Sequence, residues 1–79
     1  MIRVQLFARY AELLGTESLS LPPEGIRTVG DLLARLRELP GGGELGPSTL
    51  VAVNLKQARS DEAVGPDDEV ALLPPMAGG

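Results

Sequence analysis

The residues that could do chemistry in this chain are defined first by what is missing. The sequence contains no His and no Cys, which removes Ser–His and Cys–His nucleophile pairs and thiolate metal sites. Its glycines match neither G-x-x-x-x-G-K-[ST] nor G-x-G-x-x-G. Gly41–Gly43 follow a helical stretch instead of opening one and read as a cap and turn. The acidic run Asp67-Asp68-Glu69 enters a strand, where adjacent side chains point to opposite faces and do not converge on one cation. It reads as a solvated turn, and Asp61-Glu62 likewise, so no metal ligand is expected. What remains is the backbone, above all the carboxylate at Gly79 in "LLPPMAGG".

A carboxylate becomes reactive once it is activated, for example as a mixed anhydride with AMP. A separate enzyme must then bring it to the α-phosphate of ATP, which calls for a thin leader. Gly78 and Gly79 have no Cβ, so a narrow channel can pass them. Pro74 and Pro75 hold an extended direction and resist joining a sheet. Extended at ~3.3 Å per residue, residues 74–79 reach about 20 Å at most. A bare Gly-Gly is also what a frayed terminus looks like. Gly-Gly directly after a closing strand, in a chain without catalytic side chains, is the stronger signal for a tail that enters a partner.

The elements that must present this tail follow from periodicity. "MIRVQLFA" alternates, with Ile2, Val4, Leu6 and Ala8 on one face and Arg3, Gln5 and Phe7 on the other, as in a strand buried on one side. "RYAELLG" suits a short helix closed by Gly15. "ESLSLP" is a second strand with Leu19 and Leu21 inward, ended by Pro22-Pro23. In "TVGDLLARLRELPGGG", Val29, Leu32, Leu33, Leu36 and Leu39 form one apolar helical stripe. Thr28 caps the amide of Asp31, Asp31 and Arg35 are spaced for an i, i+4 ion pair, and Pro40 with the glycines stops the helix. "GGGELGPS" is a loop and "TLVAVNL" a strand, with Asn54 suited to a left-handed turn position. "ARSDEAVGPDD" is a second loop, and "EVALLP" the last strand.

Strand, strand, helix, strand, strand specifies two layers around one core: an α+β ubiquitin-like β-grasp, its mixed sheet covered on one face by a helix. The expected division is a single domain over 1–73 and a flexible tail over 74–79. In this fold the first and last strands are parallel neighbours. That places Phe7 near Leu73 and the emerging Met76 on the outer face, an apolar group suited to a partner.

Composition narrows the partners. The chain has 79 residues, a net charge of −4, one Phe and one Tyr. An acidic surface argues against a partner held by phosphate contacts, and two aromatics are too few for a base-stacking platform. No apolar run is long enough to span a membrane, and no basic segment precedes an apolar one at the N-terminus. Without cysteines there is no disulfide framework. Cytoplasmic residence is the expectation.

At the level of whole segments the sequence resembles the MoaD type of ubiquitin-like sulfur carrier, the small subunit of molybdopterin synthase. "MIRVQLFARYAELLG" is similar to that family's opening strand and helix, "LVAVN" to its third strand, and "DDEVALLPPMAGG" to its closing segment, where the double proline before the terminal Gly-Gly is the specific part. The resemblance implies that an E1-like enzyme adenylates Gly79 with ATP and that a sulfur donor, such as a cysteine desulfurase or a rhodanese-like protein, converts it to a thiocarboxylate (1-thioglycine). Pro75, Met76, Ala77 and Gly78 then enter the large synthase subunit, where sulfur passes to cyclic pyranopterin monophosphate. It implies catalytic side chains on the large subunit, no stably bound cofactor, and an interface through Phe7, Leu73 and Met76. The chain departs from the family at Ala11, where a basic residue is usual before the matching Glu12, with Arg9 a candidate replacement. It departs also at Leu72-Leu73, where aromatics are common. Related carriers for thiamin thiazole or tRNA thiolation, a protein modifier joined to lysines through Gly79, and a plain interaction module with an inert tail are the alternatives.

Overall fold

The computed structural model describes residues 1–46 and 49–74. Within them are β1 (Ile2–Leu6), α1 (Arg9–Leu14), β2 (Ser18–Leu21), α2 (Val29–Arg37), a 3-10 turn (Gly42–Glu44), β3 (Leu50–Val53), β4 (Lys56–Ala58) and β5 (Glu69–Leu73). The strands form one sheet in the order β2-β1-β5-β3-β4. β1 and β5 are parallel, with Val4 beside Val70 and Leu6 beside Leu72; the other pairs are antiparallel. This is the ubiquitin-like β-grasp expected from the sequence.

The alternation along the strands decides which face is buried. Ile2, Val4 and Leu6 of β1 and Val70 and Leu72 of β5 turn inward and meet Val29, Leu32, Leu33 and Leu36 of α2. A helix with that spacing can bury one stripe and no more, so the sheet's inner face and one helix face make the core.

Both ends of α2 are tied down. The Asp31 N–H donates to the Thr28 hydroxyl oxygen (3.2 Å), while the Arg27 and Thr28 N–H groups donate to the Asp31 carboxylate (3.0 and 3.2 Å), a reciprocal capping box. The next two amides, which have no acceptor within the helix, find carbonyls in the loop after β4: Val29 N–H donates to Glu62 (3.0 Å) and Gly30 N–H to Ser60 (2.8 Å). The acidic loop read as merely solvated therefore supplies acceptors for the helix start. At the other end Gly41 lies at φ 85° against the backbone of Leu13, where a Cβ would collide with that carbonyl. Only glycine satisfies both constraints.

Four readings change. The first strand stops at Leu6, so Ala8 does not continue the inner face; it is exposed, with φ 53°, and begins the turn into α1. Asp31 does not pair with Arg35: its carboxylate is engaged at the cap, and Arg35 instead lies 3.8 Å from Glu38 and donates to the Glu24 carbonyl. α2 ends at Arg37, leaving Leu39 half-buried beyond it. A fifth strand, β4, takes Lys56 and Gln57, to which the pattern assigned no element, and Ala58 from the start of the expected loop.

Candidate functional site

Among the described residues the sheet has one face without a helix, and its apolar part is the candidate site. Register fixes its layout. Leu6 sits beside Leu72 in the parallel pair, so the next residues, Phe7 just past β1 and Leu73 at the end of β5, lie together at one end of the sheet. Ala71 lies opposite Ala52, and Leu73 opposite Leu50, across β5 and β3. Two facing alanines leave a low floor between taller neighbours. The result is a shallow depression of about 430 Å³ bordered by Gln5, Phe7 and Leu73, and by Asn54 and Leu55 at the hairpin end. Phe7 is 45% exposed and also lines a second hollow on its other side, with Ala8, Ala11 and Glu17. A large aromatic standing between two hollows on a solvent face is an exposed apolar patch of the kind that marks an interaction surface.

The hairpin end is held by a polar clamp. Asn54 N–H donates to the Glu69 carbonyl (2.8 Å), and Glu69 N–H donates back to the Asn54 side-chain oxygen (3.0 Å). The Asn54 amide donates to one Asp68 carboxylate oxygen (3.0 Å), and Gly65 N–H donates to the other (2.7 Å). The Gly65 N–H first, and the Asn54 amide second, hold the Asp68 carboxyl below the ordinary 3.8. Asp68 thus ties the loop that introduces β5 to the β3–β4 hairpin, and Glu69 lies 3.9 Å from Arg3. Asn54 takes the left-handed conformation expected of it, φ 52°.

Of the residues singled out in the sequence, Phe7 and Leu73 come together on the outer face. Met76, and with it Pro75, Ala77, Gly78 and Gly79, lies outside the described residues. Arg9 is exposed on α1, two residues before Ala11 and so on a different face of the helix. Sequence reasoning missed Leu55. By strand alternation it should follow Val51 and Val53 inward. The two-residue turn puts it fully in solvent instead. The signal that could have found it was Asn54, already read as a turn former, directly before it.

The fold and its uncovered face define a ubiquitin-like β-grasp protein. The chain belongs to the ThiS family, whose model matches residues 4–79. It is 36% identical over 84 residues to small archaeal modifier protein 1 of Haloferax volcanii, covering 95% of this chain and 97% of that one. It is 34% identical over 79 residues to the molybdopterin synthase sulfur carrier subunit of Arabidopsis thaliana, covering 99% and 82%. A crystal structure of the Haloferax volcanii modifier superposes with a TM-score of 0.79 at 33% identity, over 99% of this chain and 98% of that one.

Proposed function

We propose that this protein is a sulfur carrier of molybdenum cofactor biosynthesis, acting as the small subunit of molybdopterin synthase. A Gly79 carboxylate oxygen attacks the α-phosphorus of ATP in an E1-like adenylyltransferase, and pyrophosphate leaves. The persulfide of a sulfur donor, a cysteine desulfurase or rhodanese-like protein, then displaces AMP to give an acyl disulfide, and a thiol reductant cleaves its S–S bond to leave the thiocarboxylate. The tail from Pro75 to Gly79 enters the large synthase subunit and gives its sulfur to cyclic pyranopterin monophosphate. The carrier needs no catalytic side chain and holds no cofactor of its own; ATP belongs to the adenylating partner.

The observation that carries this reading is the parallel β1–β5 pairing. It puts Phe7 and Leu73 at the end of the sheet where the chain leaves for Gly79, in a protein 34% identical to a named molybdopterin synthase sulfur carrier subunit. A partner that grips Phe7 and Leu73 holds the strand end from which the chain continues to Gly79. The test is incubation with candidate E1-like enzymes, ATP and a sulfur source, followed by intact mass. One oxygen replaced by sulfur at Gly79, and molybdopterin formed when the large subunit and cyclic pyranopterin monophosphate are added, are the expected results.

A second reading is favoured by the likeness to the small archaeal modifier. The same acyl-adenylate can be attacked by a lysine amine, forming an isopeptide bond and releasing AMP. Isopeptide-linked Gly79 remnants on other proteins in cells would support it. Reconstitution with the partners of thiamin thiazole synthesis and of tRNA thiolation separates the remaining carrier pathways.

A further inference from the structure

We infer that Leu55, at the tip of the β3–β4 hairpin, is a second anchor of the docking face, filling an apolar pocket in the large synthase subunit; the inference rests on the outer face being where that subunit binds. Leu55 is fully exposed, and its φ is 73°. A two-residue hairpin with φ above zero at both central positions favours Asn-Gly, because glycine has no Cβ to crowd the backbone. Here the first position is Asn54, at φ 52°, and the second is leucine. The chain therefore carries backbone strain and a solvated apolar side chain at one residue, and nothing within the described residues covers that side chain. Strain retained at a surface position is characteristic of functional sites.

Its location supplies the second argument. Leu55 borders the same depression as Phe7 and Leu73, at the opposite end of the alanine floor. Among the described residues, the non-glycine residues with positive φ are Ala8, Asn54 and Leu55. Asn54 and Leu55 line this depression, and Ala8 directly follows Phe7 and lines the adjoining hollow. The strained positions thus bracket one surface. The clamp of Asn54 to Asp68 and Glu69 fixes the tip to the root of β5, so Leu55 is presented in a set position relative to Phe7. Asp67 is exposed at that root and takes no part in the clamp, so a partner pocket that is apolar within and basic beside Asp67 complements the tip.

The experiment uses the full chain and the large synthase subunit. Leu55→Gly and Leu55→Asn are measured by titration calorimetry with the subunit and by thermal melts of the free chain, beside Phe7→Ala. Leu55→Gly is expected to raise the melting temperature by about 4 °C, and both Leu55 variants to weaken binding about tenfold or more. Leu55→Met, which keeps an apolar group of similar size, should restore most of the affinity. Weakening by Gly alone, with Asn unchanged, would assign the effect to a loosened turn and overturn the anchor. Unchanged binding of both Leu55 variants while Phe7→Ala binds weakly also overturns it and leaves the docking face standing. Unchanged binding of all three removes the docking face as well.

Discussion

Phe7→Ala separates the docking role of the outer face from its structural role. A buried phenylalanine removes roughly 200 Å² from water. Phe7 retains 45% exposure in the free chain, so about 90 Å² is left for a partner to cover. At about 25 cal/mol per Å² this is worth about 2 kcal/mol, or about thirtyfold in Kd, before any loss of shape fit. The effect on folding is of a different order. Phe7 is outside the buried core, whereas Leu36 is fully enclosed in it. Truncating Leu36 should cost about 2–5 kcal/mol against an ordinary total of roughly 4–12 kcal/mol for a chain of this size, and lower the melting temperature by about 10 °C or more. The assay is titration calorimetry with the large synthase subunit, beside melts of the free Phe7→Ala and Leu36→Ala chains. Unchanged affinity, or a Phe7→Ala melt that falls as far as that of Leu36→Ala, would refute the reasoning.

Leu33→Ala, like Leu36→Ala, should cost about 2–5 kcal/mol, and Asp31→Ala much less, since its carboxylate is exposed; equal urea midpoints for the Leu36 and Asp31 variants would contradict the buried stripe. Deleting Gly79, or adding one residue after it, should abolish ATP–pyrophosphate exchange with the E1-like enzyme while the melt stays unchanged, and a truncated chain that still exchanges would remove Gly79 from its role. The Asp31 carboxyl is held below the ordinary 3.8, first by the Arg27 N–H and next by the Thr28 N–H, as that of Asp68 is by Gly65 and Asn54. A lowered folded value stabilises the fold above the unfolded carboxylate range, and that contribution is lost as pH falls through 3.8 and below. The stability advantage of the parent over Asp68→Asn should therefore be full above about pH 5 and shrink in more acid solution, as read by denaturant midpoints across pH; a gap independent of pH would exclude the clamp.

What the sequence alone determined is whatever rests on local chemistry and on periodicity. The absence of His and Cys leaves no Ser–His or Cys–His pair. The spacing of Val29, Leu32, Leu33 and Leu36, with Thr28 at the start, specified α2 and its buried face, because propensity, capping and apolar stripe agree there. Alternation in β1 and β5 put Phe7 and Leu73 outside. Tertiary structure decided wherever two local rules compete. Asp31 can either pair with Arg35 or cap the helix, and the backbone amides prevail because they are fixed in place while Arg35 is drawn to Glu24 and Glu38. β4 is only Lys56–Ala58, too short to show a period, and it exists because β3 offers it an edge. Leu55 reads inward by alternation and stands outward because the clamp of Asn54 to Asp68 and Glu69, residues 14 and 15 positions away, turns the chain first. A contact across that separation leaves no trace in a local window, and it is what brings the hairpin tip, Phe7 and Leu73 onto one surface.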